Sequence, residues 1–296
     1  MMDSVGILQW NCQGIRGKKD ELLELISNHK PDIVALQEIK LWIGSKFEIA
    51  GYNTERRDGH FSRTPHSGVS FLIHGCTPYQ VVLLTTDIQA IAVRINIGQL
   101  ITVCNVYISG THNFNYNIMN DLIEQLPCPF ILLGDLISHS TMWGCRNTDN
   151  RGTILEKILT DKNLCILNSG ASTRISYNSE FAVDVTRCTP TLTPIMDLTV
   201  STSPGDSDHC LIHIAIMKQN LLNHRQIMYL NYKRADWTKY ANDESWKGFP
   251  DVATVENEQL IIDLYNRFYQ AINNSIPSSR TTKYIPKSWW TNELKL

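Results

Sequence analysis

Short apolar segments separated by turns recur through the first 218 residues, and they constrain the fold more than any other feature. Segments this short are typical of β-strands, because helices need longer periodic stretches. The predicted strands are Val5–Gln9, Ile33–Leu36, Val69–Ile73, Ala90–Ile97, Leu100–Tyr107, Phe130–Leu133, Cys165–Leu167, Ile195–Val200 and Cys210–Ile216. The predicted helices, with apolar residues at three- and four-residue spacing, are Lys18–Asn28, Tyr116–Gln125 and Gly152–Asp161. This mixture predicts an α/β fold with two packed β-sheets flanked by helices, a four-layer α/β sandwich.

The character of the sequence changes after Met217, which predicts a domain at residues 1–218 and a second segment at residues 219–296. The second segment contains a predicted amphipathic helix, Glu258–Asn273. It is followed by Ser275–Lys287, whose serine, threonine and proline content is typical of a linker.

The amino-acid composition limits the classes of protein to which this chain can belong. The formal net charge is −2, with 17 Lys and Arg against 21 Asp and Glu in residues 1–218. This balance excludes nucleic-acid binding through the whole surface but not through a local basic patch. No apolar run reaches the roughly 18 residues that span a bilayer, so we expect no membrane association. The eight cysteines are scattered without a C-x-x-C pair, which favours reduced thiols in an intracellular protein.

Several predicted strands end in side chains that carry chemistry. Taken singly, each of these residues is explained at least as well by a turn, a helix cap, a solvated strand end or, for Tyr107, a place in the core. Taken together, they predict a cluster of acids and donors at one edge of the sandwich, which is the composition of a metal-assisted phosphodiester hydrolase. They are Asn11, Glu38, Tyr107, Asp135 and the pair Asp208-His209.

The order of these motifs resembles the endonuclease/exonuclease/phosphatase family, specifically the apurinic-type endonuclease domain of jockey-like non-LTR retrotransposons. The resemblance covers roughly residues 5–217. The motifs are WNCQG (10–14), PDIVALQE (31–38), VY (106–107), ILLGD (131–135), WG…RG (143–152), NLCILN (163–168) and SDH (207–209). Residues 219–296 resemble the connector that such elements carry before their reverse transcriptase, in NYKRADW (231–237) and WWTNE (289–293).

The resemblance implies a role for each matched residue. Glu38 would be the metal ligand, with Asn11 and Asp208 beside it, and the cofactor would be Mg²⁺, with Mn²⁺ as an alternative. Tyr107 would contact the scissile phosphate, and Asp135 would orient or activate the attacking water. His209 would stabilise the transition-state charge, oriented by a buried acid.

Two aspartates, Asp184 and Asp197, fit the family pattern for that orienting acid. The family places it about two dozen residues before the final aspartate. Asp184 lies 24 residues before Asp208, whereas Asp197 lies only 11 before it, which leaves no room for the intervening strand. We therefore predict that Asp184 is the acid that orients His209.

One residue departs from the family pattern. The family has asparagine two positions after the water-activating aspartate, where this chain has Ile137. Isoleucine has no hydrogen-bonding group, and losing one such contact costs on the order of 10²–10³ in rate. We therefore expect an impaired or inactive nuclease.

The resulting expectation is a Mg²⁺-dependent endonuclease that nicks DNA and leaves a 3′-hydroxyl to prime reverse transcription. DNA is the expected partner, with no small-molecule cofactor, and the expected location is intracellular, in the nucleus. Two alternatives stay open at this point: a catalytically dead nucleic-acid-binding remnant, and a phosphoesterase of the same fold that acts on a small substrate.

Overall fold

The computed structural model describes residues 4–59, 66–110, 114–218, 228–248 and 257–280. The chain divides into two compact units, Met1–Gln219 and Asn220–Leu296. The assignment of the second unit as a connector remains a prediction, and the WWTNE motif lies outside the described residues. Within the described ranges, no helix is both long and apolar enough to cross a membrane.

The strands and helices follow the apolar pattern of the sequence. The strands are β1 Ser4–Asn11, β2 Ile33–Gln37, β3 Tyr52–Arg57, β4 Val69–His74, β5 Tyr79–Val82, β6 Gln89–Asn96, β7 Leu100–Tyr107, β8 Phe130–Asp135, β9 Cys165–Ile166, β10 Arg174–Ser176, β11 Ser179–Phe181, β12 Arg187–Cys188, β13 Met196–Val200, β14 Ile212–Met217, β15 Met228–Leu230 and β16 Ser278–Arg280. The helices are α1 Lys19–His29, α2 Tyr116–Glu124, α3 Asn150–Asp161, α4 Trp237–Ala241 and α5 Asn257–Ser275.

Two six-stranded mixed sheets form the first unit. Their strand orders are β13-β14-β1-β2-β4-β3 and β5-β6-β7-β8-β12-β9. Each sheet contains one parallel pair, β1 with β2 and β7 with β8, among antiparallel neighbours. Since parallel strands end at the same edge of a sheet, each pair delivers two strand ends to one place.

Three apolar cores hold the layers together. One core lies between the two sheets and includes Ile7, Phe71 and Val103. A second packs α2 and α3 on the outer face of the β7–β8 sheet, and a third packs α1 on the β1–β2 sheet. Burial of apolar surface on both faces of each sheet is the main stabilising contribution. The prediction of a four-layer α/β sandwich is confirmed.

Buried polar contacts join the two sheets beneath the strand ends. Gln37 donates from Nε2 to Asn105 Oδ1 at 2.7 Å. Asn105 in turn donates to the carbonyl oxygens of Leu36 and Ser70, each at 3.0 Å. Because apolar contacts are not directional, these hydrogen bonds are what fix the offset of one sheet against the other.

The missed strands are short or polar. The strand β3 was not predicted, because its sequence YNTERR has no apolar alternation and it lies half-exposed at a sheet edge.

The linker prediction for Ser275–Lys287 was wrong at its start. Ser275 ends α5 and Ser278–Arg280 pairs with β15, while residues 281–287 lie outside the described chain.

All eight cysteines lie in described segments and all are free thiols. Five of them are buried: Cys12, Cys104, Cys145, Cys188 and Cys210.

One charged side chain lies in the core between the β7–β8 sheet and its helices. Arg187 is 1% exposed, and none of its guanidinium nitrogens has a hydrogen-bond partner in the described chain. The guanidinium carbon lies 5.8 Å from the ring centroid of Trp143. Burial lowers the pKa of Arg187 to about 9, because the charged form is poorly solvated there.

Replacing this cation by an apolar side chain of similar length is therefore expected to stabilise the fold. Arg187→Met removes the desolvation cost of the guanidinium and should raise the free energy of unfolding by about 1–3 kcal/mol. Urea unfolding measures the change. Arg187→Ala is the control, since it leaves a cavity and should destabilise. A loss of stability in Arg187→Met would contradict the prediction.

Candidate active site

The two parallel strand pairs bring their carboxyl ends together at one edge of the sandwich. Asn11 ends β1 opposite Gln37 of β2, and Glu38 follows directly. On the other sheet, Tyr107 at the end of β7 lies opposite Asp135 at the end of β8. Gly134 permits this register, because a Cβ there would overlap the carbonyl oxygen of Val106. The strand ends predicted to cluster do so.

Glu38 connects the two sheets at the site. Its Oε1 accepts hydrogen bonds from Tyr107 Oη at 3.0 Å and from Asn11 Nδ2 at 3.2 Å. Its Oε2 lies 2.7 Å from Lys40 Nζ. Burial alone would raise the pKa of Glu38, but the hydrogen bonds from Lys40, Asn11 and Tyr107 lower it below its ordinary value. Glu38 is therefore a carboxylate at neutral pH.

Asn11 lies at the centre of the cluster and is 1% exposed. Its amide nitrogen donates to Asp135 Oδ2 at 2.9 Å and lies 3.5 Å from His209 Nε2. Its Oδ1 instead accepts from the backbone nitrogen of Gln13 at 3.2 Å. Since the amide nitrogen faces the acids and the oxygen faces away, the geometry favours the supporting role of Asn11 over that of a metal ligand.

His209 and Asp184 form a buried pair. His209 Nδ1 lies 2.7 Å from Asp184 Oδ2, and both residues are 2% exposed. Thr173 holds the Asp184 segment, because its hydroxyl oxygen accepts from the backbone nitrogens of Val183 and Asp184 at 3.0 Å each. The alternative acid, Asp197, lies exposed on β13, away from this pair. The structure thus places at His209 the aspartate that spacing selected.

With Nδ1 bound to Asp184, His209 presents Nε2 to the cluster. This nitrogen lies 3.8 Å from Asp135 Oδ2 and 3.6 Å from Asp208 Oδ1. Burial would lower the pKa of His209, but Asp184, with smaller contributions from Asp135 and Asp208, raises it to about 9. His209 is therefore an imidazolium at neutral pH, able to donate from Nε2.

Asp135 is fully buried, and its carboxylate is fixed at both oxygens. Asn11 donates to Oδ2, and the backbone nitrogen of Ile137 donates to Oδ1 at 3.0 Å. Burial, together with repulsion from Asp184, raises the pKa of Asp135 above its ordinary value. A carboxylate of raised pKa at such a site is suited to accept a proton from water.

Backbone strain is concentrated at these strand ends. Gln13, Glu38, Lys40 and Ile137 all adopt left-handed conformations, with φ of 48°, 51°, 48° and 43°. Such conformations cost about 1–3 kcal/mol in non-glycine residues and cluster at functional sites. Isoleucine is especially unsuited because of its branched Cβ, whereas asparagine is among the residues that tolerate this region.

A hard divalent cation fits one part of the cluster better than another. In the described chain, one group of three or more histidine, cysteine or acidic side chains offers ligand atoms within 4.8 Å of one another: Asp135, Asp184 and His209. In this group, however, His209 Nδ1 and Asp184 are already bound to each other, which makes them poor candidates for metal ligands. Glu38 is more open, and the nearby Asp208 Oδ1 is a buried acceptor without a hydrogen-bond partner in the described chain. Oxygen ligands suit Mg²⁺, so Glu38 and Asp208 match the cation better.

Four residues that position the site were not singled out from the sequence. Ser207 donates to the Asn11 carbonyl at 2.7 Å and so joins β1 to the SDH motif. Thr173, Lys40 and Arg174 contact Asp184, Glu38 and Asp208 respectively. Only Ser207 lay within a recognised motif, and no local pattern marked the other three.

Two sheets flanked by helices, with acids, an amide and an Asp–His pair gathered at one edge, form an α/β sandwich whose fold matches that of endonuclease/exonuclease/phosphatase proteins. Residues 101–213 match the family model described as "Endonuclease-reverse transcriptase". The endonuclease domain of TRAS1, a telomere-specific non-LTR retrotransposon, is similar over 73% of this chain and 100% of its own, at 22% identity and a TM-score of 0.64. The AP endonuclease LMAP of Leishmania major is similar over 72% and 88%, at 14% identity and a TM-score of 0.58.

Curated relatives point to the same group. The RNA-directed DNA polymerase from mobile element jockey of Drosophila melanogaster is 24% identical over 173 residues, which are 57% of this chain and 19% of that protein. The probable polymerase from transposon BS of the same organism is 26% identical over 60% of this chain and 20% of its own length. The chain spans about a fifth of the relatives that it matches. The chain is therefore similar, in part of its sequence and in its fold, to endonuclease domains of the retrotransposon type.

The dependence of His209 on Asp184 can be tested in the metal-free protein. Asp184→Asn removes the main attraction that keeps His209 protonated, while burial continues to disfavour the cation. The pKa of His209 should therefore fall by about one to three units. An NMR titration of the imidazole measures it, and Asp197→Asn, on the exposed strand β13, is the matched control. An unchanged His209 pKa in Asp184→Asn would contradict the assignment.

Proposed function

We propose that this protein is a divalent-metal-dependent endonuclease that nicks DNA by hydrolysing a phosphodiester bond. The observation that carries the proposal is a set of contacts at one edge: His209 pairs with Asp184 and faces Asp135, and the Asn11 amide donates to both Asp135 and Glu38. It unites a carboxylate suited to water activation, a protonated imidazole and an ionised acid at one edge.

Glu38 and Asp208 are the residues that would hold the metal, which we propose to be Mg²⁺ or Mn²⁺. Such an ion, when bound, polarises a phosphoryl oxygen and offsets the charge that develops on the phosphate. The ionised state of Glu38, together with the Asp208 Oδ1 atom that accepts no hydrogen bond in the described chain, supports this assignment.

Asp135 is the proposed base. Its two oxygens are held by Asn11 and by the Ile137 backbone nitrogen, so the carboxylate cannot rotate freely. Each carboxylate oxygen has a further lone pair, which can accept a hydrogen from the attacking water. Tyr107, whose hydroxyl donates to Glu38, would turn toward the phosphate when substrate is bound.

His209 is the proposed stabiliser of the transition state. As an imidazolium it donates from Nε2 to a phosphate oxygen whose negative charge grows as water adds. A donor that is already oriented needs no rearrangement during the reaction, and Asp184 supplies that orientation.

The relatives support DNA as substrate and a retrotransposon context. They include the endonuclease domain of a telomere-specific non-LTR retrotransposon and RNA-directed DNA polymerases of mobile elements. By analogy, we propose that the nick leaves a 3′-hydroxyl that primes reverse transcription, and that the protein acts in the nucleus.

Ile137 weakens the proposed nuclease activity, but it leaves in place the residues on which that activity depends. The Asp135 carboxylate keeps both of its protein donors, so the isoleucine does not release the base. What is absent is an amide at position 137 that could contact water or phosphate. This favours a slow nuclease, and makes a binding protein without turnover the second candidate.

The first test is a nicking assay on supercoiled plasmid with Mg²⁺. Wild-type protein should nick the plasmid, and Glu38→Ala and His209→Ala should each lose about 10²–10⁴ in rate, because metal binding or proton donation is lost. Asp197→Ala is the matched acidic control and should nick normally. Polymerase extension of the product tests for the 3′-hydroxyl. Undiminished nicking in EDTA or by Glu38→Ala would contradict the proposal.

The second test restores the amide. Ile137→Asn should raise the nicking rate by about 10²–10³, because it adds a polar contact at the reacting phosphate. It should also raise the free energy of unfolding by roughly 1 kcal/mol, since asparagine adopts the left-handed backbone with less strain. Ile137→Ala changes the side chain without adding an amide, and should not gain activity. Rapid nicking by wild-type protein that Ile137→Asn leaves unchanged would show that position 137 is not limiting.

A further inference from the structure

Arg174 lies at the edge of the proposed active site, and only part of its guanidinium group is engaged by other residues of the described chain. Its backbone is held opposite the SDH motif, because Arg174 and His209 face each other in an antiparallel bridge. Ile175 donates to the Asp208 carbonyl at 2.8 Å, and Cys210 donates to the Thr173 carbonyl at 2.7 Å. The position of Arg174 is therefore set by the same hydrogen bonds that set His209.

One of its three guanidinium nitrogens is engaged. Arg174 Nε donates to Asp208 Oδ2 at 2.8 Å, and the side chains are 39% and 23% exposed. The terminal nitrogens have no acceptor assigned within the described chain, and they carry four of the five N–H donors of the group. Asp208 thus anchors the base of the guanidinium and leaves its outer face to solvent.

Arg174 is one of three cations in the cluster, and its carboxylate partner is Asp208. Lys40 and His209, the other cations of the cluster, are each paired with a carboxylate, Glu38 and Asp184 respectively. Of these three cations, Arg174 therefore has the most donor capacity left for an incoming anion.

We infer that Arg174 binds the phosphodiester, through its terminal nitrogens, beside Asp208 and His209. This rests on the proposed function and names a further residue that holds its substrate. A guanidinium matches phosphate geometry with two parallel N–H donors, which an ammonium cannot do. The contact also adds a positive charge where carboxylates otherwise repel an anion, and adds donors at a site that has isoleucine at position 137.

The test measures DNA binding separately from turnover, using the full chain and a fluorescent duplex oligonucleotide in EDTA. Arg174→Met should weaken binding by about tenfold and reduce the slope of log K against log salt by about one, because one phosphate contact is lost. Arg174→Lys keeps the charge, so it should keep the slope while binding less tightly than wild type. Lys157→Met removes a positive charge from α3 and should change neither quantity.

The outcomes separate this inference from the proposed function. If Arg174→Met binds with wild-type affinity and salt slope, Arg174 only orders Asp208 and the inference fails, whatever happens to nicking. If wild-type protein binds DNA but does not nick it, the nuclease proposal fails, and a weakened Arg174→Met still supports the inference. If wild-type protein does not bind DNA, both fail. Circular dichroism verifies the fold of each variant, and Arg174→Lys remains informative if Arg174→Met does not fold.

Discussion

The buried contact between Gln37 and Asn105 sets the geometry on which the site depends. It joins the β1–β2 sheet to the β7–β8 sheet directly beneath the strand ends, where the remaining core is apolar and gives no directional constraint. One residue past the end of β2, Glu38 accepts a hydrogen bond from Tyr107 of the opposite sheet. A shift of one sheet by a single residue would turn these side chains away from each other.

The site gathers acids that repel one another, and its stability depends on how they are compensated. The Asn11 amide joins two carboxylates, His209 pairs with Asp184, Lys40 pairs with Glu38, and Arg174 pairs with Asp208. These pairings also leave the acids with different roles. Asp184 is committed to orienting His209, whereas Asp135 and Glu38 face the reacting phosphate in the proposed mechanism. The partner that compensates each acid therefore also determines the chemical role of that acid.

Much of this was predictable from the sequence, for reasons that differ between residues. The strands β1, β2, β7 and β8 are mainly apolar and end in polar residues, so these residues could be predicted to cluster. Asp184 and Asp197 have nearly the same local sequence, and only a spacing rule separated them. Arg174 and Thr173 could not be found in this way, because their importance comes from a backbone bridge to His209 and from hydrogen bonds to Asp184.

The sequence by itself determined the layers, the strand ends and the departure at Ile137, since each follows from apolar periodicity or from a residue's own chemistry. Only the tertiary structure decided which way the Asn11 amide points and how Asp135 keeps its orientation without an asparagine at position 137. These orientations depend on hydrogen bonds between segments distant in the chain, such as that from Asn11 to Asp135, 124 residues apart, and the local sequence does not encode them.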